Sequence, residues 1–282
     1  MTRWLMVVAL VGGCSLRKLS LDATTRLLHD GSRAMESEPD VELARVAIPG
    51  QLKTVEGLLL SAPRNRTLLE MSARASLQFG FGFLEDDVES ARESGARQIA
   101  VGRATAMYDR AFGWALQLLA LDEPDIRAAF DEGGARWDAA LARLSREAVP
   151  GLAYGGMALA SAAGLNRADP ARLAKLPRAR AMLARSHALD PRFDHGAAVM
   201  TLGILAAQLG DRAAAERQLR EAIELAGSDY LLPRVMSARL LLTGKERDEA
   251  LEAILAIPPD ISTRNRLANE IARRRAAHSL RK

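Results

Sequence analysis

The chain has 282 residues, of which 49% are hydrophobic and only 4% aromatic, and alanine, leucine and arginine dominate its composition. These residues favour helices, and runs of β-branched residues are scarce, so the composition argues against a fold built on sheets. The length allows one elongated domain with a substantial core, or two smaller domains.

The net charge of +4 is unevenly distributed along the chain. Residues 264–282 alone carry +6, which leaves −2 for everything before them. No aromatic side chains are interleaved with these arginines, as a protein that binds single-stranded nucleic acid would require. We therefore predict a solvated last helix at this end and no nucleic-acid partner.

The N-terminus has the pattern of an export signal. Residues 4–11 form an apolar run after the basic Arg3, and Gly12, Gly13 and Cys14 follow it. The run is too short to span a bilayer, and polar sequence comes next, which is typical of a cleaved signal peptide. We predict that this signal covers residues 1–13.

Cys14 is the only cysteine of the chain and lies at the cleavage position. Residues 11–14 resemble a bacterial lipobox, in which the cysteine is acylated and becomes the mature N-terminus. A second cysteine for a disulfide is lacking, and an exported free thiol would be unusual. We predict lipidation at Cys14 and a tether with a short helix over residues 14–37; the alternative is a chance cysteine beside an ordinary signal. The residue after Cys14 is Ser15 rather than aspartate, and in this respect the chain resembles lipoproteins that are sorted to the outer membrane.

The segment after the tether is predicted to contain short helices. Asp40 is expected to precede a helix over residues 41–47, and Pro49 to begin a second helix that continues over residues 51–61. A longer helix is predicted over residues 68–83, and it ends in the glycine- and phenylalanine-rich sequence FGFGF.

Two features near the end of that helix could suggest chemistry. Gly80 and Gly82 could indicate a phosphate loop, but no strand or lysine accompanies them, so we predict that they allow close packing under the phenylalanines. The acidic residues 85–87 are predicted to begin the next helix rather than to bind a metal ion.

The middle of the chain contains an unusually thin helix. Trp137, Leu141 and Leu144 share one face of a helix that follows a break at Gly133 and Gly134. In residues 152–165, which come next, nearly every side chain is small. Such a helix is expected in the centre of a bundle, where neighbours pack against it on all sides.

Residues 196–227 have the pattern of a helical hairpin. The helices are predicted to break at Gly210, a left-handed helix stop, and Asp211, the cap of the second helix. Apolar and small residues recur with helical spacing on both sides and match packing positions of a tetratricopeptide repeat. These predicted packing residues are Leu202, Gly203, Ala206, Ala215, Leu219 and Ala222.

This hairpin leads to a prediction for the whole fold. One hairpin cannot bury both of its faces, so neighbouring repeats are required. Four imperfect copies are recognisable along the chain. We predict an all-α domain over residues 38–282, built of antiparallel helical hairpins stacked as a tetratricopeptide-repeat-like bundle or solenoid, in which Gly203 faces Ala222. The alternative is an ordinary antiparallel helix pair in another all-α fold.

Several stretches, in order, resemble the T component of tripartite ATP-independent periplasmic (TRAP) transporters, the TatT family. The main stretch, residues 189–242, reads LDPRFDHGAAVMTLGILAAQLGDRAAAERQLREAIELAGSDYLLPRVMSARLLL. Supporting stretches are EPDVELARVAIPGQLKTVEGLLLSAPRN, ATAMYDRAFGWAL and VPGLAYGGMALASAAG. The resemblance implies a periplasmic lipoprotein that forms a trimer with a cavity and assists the transporter's solute-binding protein. It also implies a small hydrophobic ligand.

The resemblance leads to a candidate cavity around residues 104–160. Four aromatic residues, which are the usual lining of pockets for apolar ligands, fall in this region: Tyr108, Trp114, Trp137 and Tyr154. Each of them could equally be plain core. The family usually has a tryptophan after the tyrosine, where this chain has Gly155 and Gly156, so a wider or differently selective cavity is expected.

No motif for catalysis accompanies these features. The four histidines, His29, His187, His195 and His278, are scattered and have no metal-binding spacing. No nucleophile elbow or phosphate loop occurs. We predict no enzyme activity, no metal and no cofactor. Two functions remain: a lipid-anchored accessory component of a TRAP transporter that binds the solute-binding protein, and a structural scaffold lipoprotein for cell-envelope assembly.

Overall fold

The structure, a computed structural model, describes residues 23–281, which contain helices and turns but no strand. Helix α1 covers residues 23–36. The following helices are α2 (Val41–Ser61), α3 (Arg66–Phe79), α4 (Glu85–Ser90), α5 (Ser94–Leu119), α6 (Ile126–Glu132), α7 (Gly134–Arg143), α8 (Val149–Leu165), α9 (Pro170–Leu173), α10 (Leu176–Leu189), α11 (Ala197–Gln208), α12 (Arg212–Ala226), α13 (Leu232–Leu241), α14 (Gly244–Leu255) and α15 (Arg266–Leu280).

The predicted signal peptide and Cys14 lie outside the described residues. Part of the segment predicted as a tether is ordered as α1, in which Thr25 is buried and Leu28 packs against the core between α2 and α3. The first helix therefore belongs to the folded body.

The predicted break in the central hairpin is confirmed. Gly210 has φ +83°, the left-handed conformation that glycine adopts without strain. The side chain of Asp211 accepts a hydrogen bond of 3.0 Å from the backbone N–H of Ala214 in the first turn of α12. Local chemistry thus fixes where α11 ends and α12 begins.

Helix α2 differs from its prediction, because it is continuous through Pro49. The carboxylate of Asp40 caps it by accepting hydrogen bonds from the backbone N–H groups of Glu42 and Leu43. A proline in a helix interior costs about 3 kcal/mol. Burial of an apolar stripe against the rest of the protein offsets that cost here, and the stripe consists of Ala44, Ile48, Leu52, Val55 and Leu59.

The predicted helix over residues 68–83 is also divided differently. Helix α3 ends at Phe79, and Gly80–Leu84 form a wider π-helical turn before α4. A Cβ atom at Gly80 would lie 2.9 Å from the ring of Tyr108, and one at Gly82 would lie 2.8 Å from Ile271. The glycines therefore allow close packing, as predicted.

The helices stack as antiparallel hairpins, and the predicted all-α fold is confirmed. Helix α3 packs against α5, α8 against α10, α11 against α12, and α13 against α14. Helix α8 lies between α5 and α10, and it is buried on nearly all sides. Residues 146–165 are long and apolar enough to cross a membrane, but 72% of that window is buried inside the protein, as in a core helix.

The last helix is not solvated, which corrects the prediction made from its charge. Arg275 of α15 is only 4% exposed and lies among α4, the π-helical turn and the core. Arg274 forms an ion pair with Glu42 of α2. Helix α15 therefore contacts both α13 and α2, and it brings the C-terminal end of the array back to its beginning.

Candidate functional site

Where the two ends of the array meet, they border a partly open cavity of about 200 Å³. Its walls come from α1, α2, α3, the π-helical turn, the turn before α11, and the starts of α13 and α15. The apolar part of the lining consists of Met35, Ile48, Leu52, Val55, Met71, Ala75, Phe81, Phe83, Leu232, Leu267, Ala268 and Ile271. The charged part consists of Glu36, Glu70, Arg74, Asp194 and Arg264, together with the histidines His29 and His195.

The π-helical turn places two aromatic rings in the cavity wall. The guanidinium carbon of Arg275 lies 3.8 Å from the centre of the Phe81 ring, and that of Arg45 lies 5.5 Å from the centre of the Phe83 ring. Arg275 also donates a hydrogen bond to the carbonyl of Phe81 and forms an ion pair of 3.0 Å with Glu85. Cation–π contacts with Arg275 of α15 and Arg45 of α2 thus stabilise the positions of the Phe81 and Phe83 rings.

The polar end of the cavity lies along α3. Arg74 forms an ion pair of 2.7 Å with Glu36 of α1, and Glu70 lies one helical turn before it on the same side. Burial lowers the pKa of Arg74, but Tyr154, Asp194 and Glu36 outweigh this effect, so its pKa is raised overall. Burial also raises the pKa of Glu70 above its usual value, although Arg74 and His29 oppose this shift.

The turn before α11 has an unusual backbone where it borders the cavity. Asp194, His195 and Gly196 have φ of 46°, 58° and 74°, all in the left-handed region. Residues other than glycine adopt this region rarely, and aspartate and histidine are among those that do so most often. The ring of His195 stacks on Tyr230, with centroids 4.2 Å apart and planes 6° from parallel. This turn aims Asp194 and His195 into the cavity.

The four aromatic residues proposed from the sequence lie between helices and do not line this cavity. Tyr108 is fully buried, and its hydroxyl donates a hydrogen bond to Glu85. Trp137 packs edge to face on Phe130 in the core around α6 and α7. Trp114 is partly buried against the clusters of α3 and α8. Their assignment to a ligand cavity stays a prediction.

Tyr154 comes nearest to the cavity. Its ring packs against Phe193 at 5.5 Å. Burial raises the pKa of its hydroxyl, and the negative charge of Asp194 raises it further, with Glu70 acting in the same direction. Tyr154 therefore lies behind the polar end of the cavity, within electrostatic range of its carboxylates.

The two glycines after Tyr154 have a packing role. A Cβ atom at Gly155 would lie 2.5 Å from the Met182 side chain, and one at Gly156 would lie 2.7 Å from Leu183. Met182 and Leu183 of α10 thus occupy the space where larger side chains would project. These glycines allow close contact between α8 and α10, and they do not widen a cavity.

The predicted repeat-packing residues lie in the interface of α11 and α12, with one correction. Gly203, Ala215, Leu219 and Ala222 are buried, while Leu202 and Ala206 are partly buried. Gly203 faces Leu219 rather than Ala222, because a Cβ atom at Gly203 would lie 2.8 Å from the Leu219 Cγ atom. The offset places the small residue of α11 against the large apolar residue of α12.

Sequence reasoning missed the residues that line the cavity. Arg74, Glu70 and Phe81 lie on a helix and turn read as ordinary repeat structure, while Asp194 and His195 lie in the sequence DPRFDHG before α11. The available signal was a glutamate and an arginine four positions apart in a segment otherwise predicted to pack as a repeat helix. Within residues 23–281, no cluster of three or more histidine, aspartate, glutamate or cysteine side chains could hold a metal ion.

The fold and the cavity define a class of protein. Stacked helical hairpins form surfaces between repeats that bind partners or ligands, and the closure of this array adds a partly open cavity with apolar and charged walls.

Comparison with protein families identifies the family to which the chain belongs. Residues 37–282 match the family described as TRAP transporter T-component, and the chain belongs to this family. A comparison with curated proteins gave no match. The protein is thus an accessory component of a TRAP transporter, located in the bacterial envelope, and its family is one of transport components rather than a known enzyme family.

Proposed function

We propose that the protein is a lipid-anchored periplasmic component that binds the solute-binding protein of a TRAP transporter and holds a small, largely hydrophobic ligand in the cavity between α1, α3 and α15. The cavity is the observation that carries this proposal. A purely structural scaffold would need only its outer surface, and its function would not require a cavity beside charged groups.

The cavity has a suitable size for a small organic ligand. Its volume of about 200 Å³ exceeds the roughly 150 Å³ of an engineered apolar cavity that binds benzene. Most of its wall is apolar, while a few charged groups converge at one end, as is common in ligand sites.

The anchor and the cavity are close along the chain. Helix α1 supplies His29, Ser32, Met35 and Glu36 to the cavity wall, and its first described residue, 23, lies nine positions after Cys14. A segment of that length spans at most about 30 Å even when fully extended. Lipidation at Cys14 would therefore hold the cavity near the membrane surface, which suits a protein that passes a ligand to a membrane transporter.

A second surface supports contact with other proteins. Leu43, Val46 and Leu60 are 54%, 76% and 88% exposed and lie on one side of α2. These three exposed apolar side chains are available for contact with another protein. It supports the proposed homotrimer, in which this side of α2 contacts a neighbouring subunit, with the solute-binding protein as a further partner.

Binding of an apolar fluorescent probe tests the ligand function. Ala75 lines the cavity and has a small side chain, so Ala75→Trp should fill the space and abolish probe binding. Ala128 is exposed on α6, and Ala128→Trp is the matched control that should bind the probe like the wild type. Equal binding by all three forms would contradict the proposal.

Two further measurements address the partners. Light scattering of the protein lacking residues 1–14 should give about three times the monomer mass, and a strictly monomeric species would contradict the trimer. Purification of the protein from membranes should also recover a TRAP solute-binding protein, whereas a scaffold lipoprotein would recover envelope assembly factors instead.

A further inference from the structure

The polar end of the cavity carries more negative charge than positive charge. Arg74 forms an ion pair with Glu36, and its positive charge also acts on Glu70 and Asp194, so one arginine faces three carboxylates. Glu70 and Asp194 also line the cavity. Among residues 23–281, neither of these carboxylates accepts a hydrogen bond or forms a close ion pair.

The other basic side chains of the lining are Arg264, His29 and His195, and the ring of His195 stacks on Tyr230. Arg264 is exposed at the cavity rim, where solvent screens its charge. The side chain of His29 is 58% exposed and lies 3.7 Å from the carboxylate of Asp30, which is not part of the cavity lining. The cavity therefore presents two acceptor-only carboxylates beside apolar walls, an environment in which an ionised carboxylate lacks the hydration it would have in water.

We propose that the ligand is a small organic cation, an amine with an apolar body, whose ammonium group lies between Glu70 and Asp194. This inference rests on the proposed function, because it names the ligand class for the same cavity. An ammonium group has only donors and complements carboxylates that have only acceptors. The apolar body would lie against Phe81, Leu267 and Ile271. A metal cation would leave these apolar walls unused.

Other ligand chemistries fit the cavity less well. A carboxylate ligand would have to displace Glu36 from Arg74 and would be repelled by Glu70 and Asp194. A neutral ligand would fill the apolar part but leave both carboxylates without partners.

Three compounds with the same cyclohexane body separate these possibilities: cyclohexylmethylamine, cyclohexylmethanol and cyclohexanecarboxylate. Calorimetry would use the full chain in phosphatidylcholine nanodiscs, with empty nanodiscs as the blank. We expect the amine to bind at least about tenfold more tightly than the alcohol, and the carboxylate to bind most weakly. Higher salt should weaken binding of the amine but not of the alcohol.

The double variant Glu70→Gln/Asp194→Asn should lose the preference for the amine and keep the affinity for the alcohol. Asparagine adopts the left-handed region as readily as aspartate, so the turn is preserved. The single variant Glu70→Gln, which removes a partly buried charge, should fold normally and lose part of the preference for the amine. Glu216→Gln, at an exposed residue of α12, is the matched control and should leave all three affinities unchanged.

The outcomes distinguish this inference from the function on which it rests. Tighter binding of the carboxylate, or an amine preference that persists in the double variant, would overturn the cationic ligand and leave a ligand-binding cavity standing. If none of the three compounds binds, both the inference and the proposed ligand function are wrong.

Discussion

Gly203 of α11 lies directly against Leu219 of α12, so closely that a Cβ atom at position 203 would come within 2.8 Å of the Leu219 Cγ atom and 3.2 Å of its backbone nitrogen. Leu219 is fully buried, and its backbone cannot move away without shifting α12. This contact sets the separation of the two helices in the central hairpin.

Gly203→Leu should therefore destabilise the protein. Overpacking of this kind costs about 1–3 kcal/mol, which for a protein of this size corresponds to a melting temperature lower by several degrees. Gly57 of α2 has no atom within 4 Å of a built Cβ and is exposed, so Gly57→Leu is the control and should be neutral or stabilising. Identical thermal unfolding of both variants would show that the hairpin contact is misplaced.

Arg275→Ala should be the most destabilising single change on the last helix. The side chain forms ion pairs of 3.0 Å with Glu85 and 3.5 Å with Glu89, and it is almost completely buried. Removing one partner of a buried ion pair typically costs about 3–5 kcal/mol, since the remaining charges lose their compensation.

The control for this change is Arg212→Ala. Arg212 is 66% exposed and pairs with Glu216 on the same helix, and pairs of this type contribute only about 0.3–0.5 kcal/mol. Chemical denaturation of both variants measures the difference. A loss in Arg275→Ala no larger than in Arg212→Ala would mean that α15 does not depend on its buried arginine.

Glu70→Gln should raise the melting temperature near pH 7. Burial raises the pKa of Glu70 above its usual value of 4.5, against the opposing effects of Arg74, His29 and Arg66 and with a small contribution from Asp194. Its protonated form is favoured by folding, so its contribution to stability is full at low pH and is lost as the pH rises through the folded-state pKa. The gain from Glu70→Gln should accordingly disappear below about pH 4.5.

Glu123→Gln should show the opposite pH dependence. A hydrogen bond of 2.6 Å from Arg143 lowers the pKa of Glu123. Ionised Glu123 thus stabilises the folded state above its usual pKa, and this contribution is lost as the pH falls through the lowered value. Thermal melts of both variants between pH 3 and pH 8 should give differences of opposite sign at neutral pH. Parallel curves would contradict both assignments.

Cys14→Ser should leave the protein unlipidated. The prediction follows from the apolar run before Cys14 and the absence of any other cysteine in the sequence. Labelling of cells with a fatty-acid probe measures it directly, and Ser15→Ala is a neighbouring control that should remain labelled. Undiminished label in Cys14→Ser would show that the cysteine is incidental.

Much of the helical framework could be predicted from the sequence, because its signals are local. Asp211 and Gly210 mark the break of the central hairpin through capping and left-handed backbone geometry. The small residues of α8 predict a helix that neighbours surround. Such patterns involve residues within a few turns of one another, and the structure preserves them.

Other elements depended on their tertiary surroundings. Pro49 suggests a helix boundary when read alone, yet α2 continues because its buried stripe stabilises the helix on both sides of the proline. The arginines of α15 suggest a solvated helix, but acidic residues of α2 and α4 lie opposite them and compensate their charge. Neither the continuity of α2 nor the burial of α15 can be predicted from a short stretch of the sequence.

The sequence by itself determined the helical class, the hairpin repeats and the family resemblance, because helix periodicity, caps and repeat spacing are encoded in neighbouring residues. Only the tertiary structure decided where the cavity lies. Phe81 and Arg275 are 194 positions apart and meet because the array closes on itself. Asp194 and Glu70 line the same cavity because α8 packs against α3, and its Tyr154 contacts Phe193 beside Asp194. The cavity depends on the summed curvature of many helix contacts, and no segment of the chain carries that information alone.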